Sequence, residues 1–420
     1  MQIINEDVDV LIAGGGTAGV IAAIQAARLG VKTCIIEMSG KLGGTITGGG
    51  VSAPAYFYSR YKQIIKGIGW ELILRNKEFD GIPLPDFAVE NPQRPSYHVG
   101  LSRYVYALVA EDMCIQDGVD IHYHEIVTGI TMHDDMWHIE CTGKNLLRRI
   151  RAHEVVDATG DADLVGMLGF ARIKKEVRQP GTLEFRLSGY DINNLDHPAI
   201  QTAYEKAMAD GLLQKGDYCF KDRPFRLFLE RGGFNMQHII GADSSDSLTQ
   251  TEADIRGHQS LLRILRFLKS IKGFENISVE YMGDFTTTRD SFRIVGESTI
   301  TYNDYITGRK FPDAIAYTLY FIDQHNKDGI KQEFLPYDVI PTLPFSALVP
   351  RGSSRILIAG RSISADDLAF SALRVQATCM AMGQAAGAAC ALAVKQGKPS
   401  REIAIEDLCK TLHAHEAIVP

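Results

Sequence analysis

The 420-residue chain has no low-complexity tract, no long run of like charge and no internal repeat. Intrinsic disorder is therefore excluded as a reading. It has no C-x-x-C pair: its cysteines at 34, 114, 141, 219, 379, 390 and 409 are scattered and odd in number. They form neither a disulfide frame nor a zinc site by spacing, and read as reduced thiols of a cytoplasmic protein. G-x-S-x-G, H-E-x-x-H and Walker sequences are missing, so hydrolase and ATPase chemistry lacks support. Positive charge is in short supply, with 44 Lys and Arg against 51 Asp and Glu, which disfavours a nucleic-acid binder. Residues 1–7 carry two acids and no base, so no secretory signal is expected. Only Val375–Val394 runs twenty residues without charge. It is built of Ala, Gly, Met and Cys with two Gln, weak on a transfer scale, and is expected to be a buried helix packed through small residues, not a membrane span.

What is present is ordinary for a folded protein, 45% apolar and 23% charged, and the length suits two domains. Asp9–Ala13 is a short apolar strand that ends in Gly14-Gly15-Gly16, followed by a helix from Thr17 to Leu29 and a second strand from Val31 to Glu37. That order is a βαβ unit. Further on, the pattern predicts a helix over Tyr56–Trp70, a helix over Ser102–Gln116 and a strand over Val119–Ile130. A hairpin across Asp134-Asp135 leads to an arm over Trp137–Thr142. Strands over Arg148–Ala158 and Arg355–Ala359 and a long helix over Ala372–Lys395 complete the reading. Residues 171–340 carry more charge, Phe and Tyr. The expected fold is α/β: a Rossmann-type, mostly parallel domain from residues 1–170 and 341–420, with a mixed α+β substrate or cap domain of residues 171–340 inserted.

Gly14-x-Gly16-x-x-Gly19 falls between a strand and a helix, where the chemistry of a dinucleotide needs it. Gly14 permits the tight turn, Gly16 lets the backbone approach a pyrophosphate, and Gly19 allows helix to pack on strand. The amides of Thr17 and Ala18 open the helix whose N-terminus faces the phosphates. Glu37, about 20 residues on, is positioned to accept hydrogen bonds from ribose hydroxyls and disfavours a 2′-phosphate. The fingerprint alone does not separate NAD from FAD.

Three further segments bear on that choice. Lys41-Leu42-Gly43-Gly44-Thr45, just past Glu37 and Met38, resembles the second glycine doublet of FAD proteins. Val155-Val156-Asp157-Ala158-Thr159-Gly160 resembles the strand end of the same superfamily. Arg355 to Ser364, leading into Ala372 to Gly387, resembles the closing signature of the FAD-dependent oxidoreductase family, distant relatives of fumarate reductases and L-aspartate oxidases. Leu343–Pro350, Arg289–Glu297, Phe267 with Gly273–Asn276, and Asp313-Ala-Ile are similar to its mid-chain pattern. Phe292 and Ser362 depart from it, where relatives often carry Arg and Cys.

The resemblance implies FAD lying across the fold, with Gly43, Gly44 and Thr45 at the pyrophosphate and ribityl chain and Val127 meeting adenine. Ala158, Thr159, Gly160, Gly360 and Arg361 would lie along the cofactor. The N-terminus of the last long helix, with Arg374 and Val375, would face the flavin's pyrimidine edge and stabilise reduced-flavin charge. His238 and His325 match positions that face the active site in relatives. Arg289 and Arg293, four apart, share a side whether helical or extended and suit a carboxylate. His122 and His124 alternate on one strand without an evident third ligand, so no metal is expected. His98 follows Pro95-Ser96-Tyr97 and could approach the flavin or belong to a loop.

The expected function is an FAD-dependent dehydrogenase or reductase that exchanges hydride between flavin N5 and a small polar substrate, neutral or anionic. Electrons pass on to an acceptor that the residues do not identify. The alternatives are an NAD-dependent dehydrogenase and a protein that binds FAD without redox use.

Overall fold

The computed structural model describes residues 1–59, 62–88, 98–336 and 338–420. Its first strand, β1 (Gln2–Ala13), alternates in exposure at its start and turns wholly apolar and buried over Val10–Ala13. Such a stretch belongs inside a parallel sheet covered on both faces. Helix α1 (Thr17–Arg28) follows, then β2 (Thr33–Glu37), which pairs in parallel with β1 from Val10–Thr33 to Ala13–Ile36. β3 (Asp120–Tyr123) adds to the outer edge of β2, again parallel. β4 (Glu125–His133), β5 (Met136–Gly143) and β6 (Leu146–Asp157) form an antiparallel meander. β6 then runs parallel to β1 along nearly its whole length. Finally β7 (Ile356–Ile358) pairs in parallel with the last three residues of β6. The sheet thus has the order β3-β2-β1-β6-β5-β4, with β7 beside the end of β6. This is the Rossmann-type α/β fold that the sequence predicts.

Helix α2 (Gln376–Gln396) lies against α1. Its glycines explain the closeness of that packing. A Cβ on Gly383 would overlap the Ala18 carbonyl oxygen, and one on Gly387 the Ala22 carbonyl oxygen. Gln384 is fully engaged: its amide donates to Gln25 Oε1 and to the His415 carbonyl, and its oxygen accepts from the Ile68 amide. By length and composition α2 is apolar enough to cross a membrane, yet 83% of its most apolar window is buried inside the protein. Gly387→Ala should test this packing. The added methyl forces two backbones apart, at a cost of about 1–3 kcal/mol, to be read as a lowered Tm in thermal unfolding.

Strands Phe185–Ser188, Gly233–Phe234 and Ser278–Met282 form a separate three-stranded antiparallel sheet. It is covered by helices that include His197–Ala209 and Ser247–Lys269. Phe185, Phe225, Phe228 and Phe274 fill this second core. Ile294, Ile315, Ile322 and Leu343, by contrast, join the core of the main sheet.

Three local expectations are corrected. In place of a helix over Tyr56–Trp70 there is a small hairpin, Tyr58–Ser59 with Lys62–Gln63, before the helix Ile68–Asp80; Arg60 and Tyr61 lie outside the described residues. The strand Val119–Ile130 is two strands, broken at His124, which takes φ 60°. His122 and His124 therefore do not alternate along one strand. The helix expected from Ala372 is two helices: Asp367–Leu373 ends at Arg374, Val375 is extended, and α2 begins at Gln376. Pro95, Ser96 and Tyr97, ahead of His98, lie outside the described residues.

Candidate active site

The turn after β1 is shaped around a void. Gly14 has φ 96°, and a Cβ there would fall 2.6 Å from the Ala158 oxygen. A Cβ on Gly19 would overlap the Gly14 carbonyl. Gly16, in contrast, has nothing within 4 Å of where its Cβ would be. Gly16 also caps α1 with no side-chain hydrogen bond, and among the described residues the Ala18 and Gly19 amides at the start of the helix are open to an anion. The second glycine loop docks here. Gly43 donates to the Gly15 carbonyl at 2.8 Å, and a Cβ on Gly44 would fall 2.8 Å from Gly16 Cα. An open face, unpaired amides and two loops stripped of Cβ atoms fit a pyrophosphate.

Glu37 is buried, its two oxygens accepting from the Gly15 amide at 2.8 Å and the Ser39 amide at 2.7 Å. It therefore shapes the turn as well as offering its remaining lone pairs to a ribose. Lys41 pairs with Asp284 at 2.6 Å, Met38 is exposed, and the Thr45 carbonyl accepts from the Val51 amide. Val127 is half-buried, where the β4–β5 register shifts. At the end of β6, Ala158 donates to Ala13, and the Thr159 hydroxyl donates to Asp157 at 2.7 Å. Gly360 has φ 104°, with its would-be Cβ 3.4 Å from Ala18 Cβ.

Arg361 is more committed than expected. Its Nε donates to the Gly160 carbonyl at 3.1 Å, and its Nη2 donates to Asp161 at 2.6 Å and to Ser244 at 3.2 Å. Its Nη1 donates to Thr288. This guanidinium ties the end of β6 to the loops at 244 and 288.

The titratable groups converge elsewhere, beside the break between the helix Asp367–Leu373 and α2. On the strand Ile322–Asn326, Asp323 and His325 lie two apart and so on one face. His325 Nε2 is 3.0 Å from Asp323 Oδ2, and His325 Nδ1 is 2.8 Å from His238 Nε2. All three residues are buried. An ionised carboxylate only accepts, so His325 donates through Nε2. Neutral His325 then has a bare Nδ1, which accepts from His238 Nε2–H. Neutral His238 is left with Nδ1 as a base.

The charges support those protonation states. Burial raises the Asp323 pKa, but the hydrogen bond from His325 and the charge of Arg374 outweigh it and hold Asp323 ionised. Burial, and then Arg289, lower the pKa of both imidazoles, and His325 gains some back from Asp323. Burial and the neighbouring Arg374 lower Arg289 to about 10, still protonated at neutral pH. Arg289 donates to the Pro180 carbonyl at 2.6 Å and to Asn235 Oδ1 at 2.9 Å. Arg374 lies 3.7 Å from Asp323, contacts Gln179, and has a buried Nε without a partner among the described residues. At the start of α2, Gln376 donates to the Val51 carbonyl, and its own buried oxygen has no partner among the described residues.

Arg293 does not converge with Arg289. It donates to the Ala365 carbonyl and to Asp367 and lies over Phe370, so the shared side expected for the two arginines is corrected. Asp323, Tyr320 and Gln179 went unnoticed in the sequence, although the Asp323-x-His325 alternation signals the first. Glu6, Cys34 and His122 bring ligand atoms within 4.8 Å of one another. Arg148 already pairs with that Glu6 carboxylate, and burial pushes the Cys34 thiol well up, both opposing a cation.

A parallel sheet with a phosphate-shaped turn at β1 and a second glycine loop on it defines a dinucleotide-binding flavoprotein class. A family model described as "FAD dependent oxidoreductase" matches residues 9–412. The chain belongs to that family of enzymes, and FAD is its cofactor.

Over 184 residues it is 28% identical to the thiamine thiazole synthase of Methanococcus vannielii, covering 42% of this chain and 65% of that one. Over 41 residues it is 58% identical to dihydrolipoyl dehydrogenase 2, mitochondrial, of Arabidopsis thaliana, covering 10% and 8%. The chain thus spans less than two thirds of the length of either relative. A solved geranylgeranyl bacteriochlorophyll reductase-like protein from Thermoplasma acidophilum aligns over 98% of this chain and 83% of its own at 13% identity, with a TM-score of 0.46. That likeness carries no weight for function.

Proposed function

We propose that the protein exchanges hydride between FAD and a small, polar, anionic organic substrate. In this reading Arg289 and Arg374 hold the anion, and the Asp323–His325–His238 chain moves the accompanying proton. The observation that carries it is that chain of 3.0 and 2.8 Å hydrogen bonds beside the buried Arg289 and the half-buried Arg374. When bound, FAD takes up or delivers hydride at N5. His238 Nδ1 receives the substrate's proton, while its Nε2 proton passes to His325. Positive charge then rests on His325 beside Asp323, which is the favourable end. Guanidinium groups suit the anion because they stay charged and offer several donors. A distant relation to fumarate reductases and L-aspartate oxidases, a cap formed by residues 171–340 and a cytoplasmic location belong to the same reading.

The protein should purify yellow and release FAD on heat denaturation. Arg289→Lys, at unchanged flavin content, should lose about 1.5–3 kcal/mol of transition-state stabilisation, tenfold to over a hundredfold in kcat/KM. Unchanged kinetics would remove Arg289 from the site. The pH dependence follows from the lowered imidazole values. The neutral form is the base, so activity falls only as pH drops into the range where the pair protonates. That acid limb should lie well below the ordinary histidine value of about 6.5, and a limb at or above it in a kcat/KM profile would contradict the assignment.

A further inference from the structure

Charge and shape around the proposed site say more about what it receives, and this step rests on the reading above. Arg289 and Arg374 bring two positive charges, Asp323 one negative, and the neutral imidazoles none. The adjoining group, Arg293 and Lys175 against Asp367 and Asp290, adds no net negative charge. The site therefore carries an excess of one positive charge, shared by a buried and a half-buried guanidinium, which one carboxylate would balance.

The other wall is aromatic. Tyr56 lies 5.1 Å from the His98 ring and 5.2 Å from that of Tyr320, and Tyr320 stacks on Phe321 at 4.2 Å. Tyr320 joins the two halves: its ring borders the aromatic set while its phenol lies in the field of Asp323, Arg374 and Arg289. Its hydroxyl makes no hydrogen bond among the described residues. Arg231, toward His98, is exposed. It can attract an anion to the mouth, but a solvated cation does little for a second carboxylate buried against rings.

We infer that the substrate is an aromatic monocarboxylate, its single carboxylate between Arg289 and Arg374 and its ring on the Tyr56–Tyr320 wall. A dicarboxylate would press its second charge onto the aromatic side. An aliphatic acid would leave that side wet.

Calorimetric titration of the flavin-loaded protein with benzoate, acetate, succinate and benzamide tests this without turnover. Benzoate should bind at least tenfold more tightly than each of the other three. Tyr320→Ala should close the gap between benzoate and acetate, and Arg289→Gln the gap between benzoate and benzamide. Succinate or benzamide binding as tightly as benzoate overturns the inference, as does the absence of benzoate binding at millimolar concentration. If either variant loses its flavin, the wild-type ranking alone decides. Protein that takes up no FAD would instead sink the proposed function, whatever the carboxylates do.

Discussion

Gly16→Val should give a folded protein that no longer holds FAD. The substitution is informative because its two usual effects separate at this position. Gly16 has an ordinary negative φ of −72°, and the space its side chain would enter is empty of protein. The isopropyl group therefore costs the apoprotein little. It does occupy the approach to the free amides of α1, where a phosphate would otherwise sit within hydrogen-bond distance. Size-exclusion and circular dichroism profiles should match those of flavin-stripped wild type, while absorbance of bound flavin disappears and added FAD does not restore it. Gly19→Val makes the contrast, since its Cβ overlaps the Gly14 carbonyl and should damage folding itself. Full flavin occupancy in Gly16→Val would mean that the pyrophosphate lies elsewhere.

Asp323→Asn should leave FAD bound and remove most of the activity. An asparagine keeps the volume but brings an amide that can donate as well as accept, so the direction of the chain is no longer fixed. His325 loses its reason to carry the proton on Nε2, and His238 loses its reason to present a bare Nδ1. The charge that would stabilise protonated His325 is gone as well. Positioned acid–base groups contribute about 10²–10⁴ in rate, and a fall of that size in kcat is expected. Flavin absorbance and Tm measured on the same preparation separate this from collapse of the site. A variant with wild-type kcat would show that the proton travels by another route.

How much of this was legible in the sequence depended on how local the cause was. The βαβ unit and its glycines could be read because strand, turn and helix lie within some thirty residues, and each glycine answers a nearby steric demand. The Asp134-Asp135 turn was readable for the same reason, and both residues adopt positive φ, 50° and 59°. The break at Arg374-Val375 was not readable. No glycine or proline marks it, and what holds it open is distant: Arg374 reaches Asp323 and Gln179 from other parts of the chain. The kink at His124 likewise puts a side chain other than glycine in left-handed backbone, its amide pointing to Ser39. His238 and His325, 87 residues apart, could be suspected singly, but nothing in the sequence announces that they touch.

The glycine-lined seam between α1 and α2 has a bearing on how the chain is made. The βαβ unit leaves the ribosome well before the helix that covers α1, which begins at Gln376. At about 5–20 residues per second, nearly 350 residues of synthesis leave the apolar flank of α1 uncovered for tens of seconds. The strand that completes the sheet beside β6 arrives equally late. Until α2 is made, the apolar flank of α1 is therefore the surface that a chaperone would have to guard.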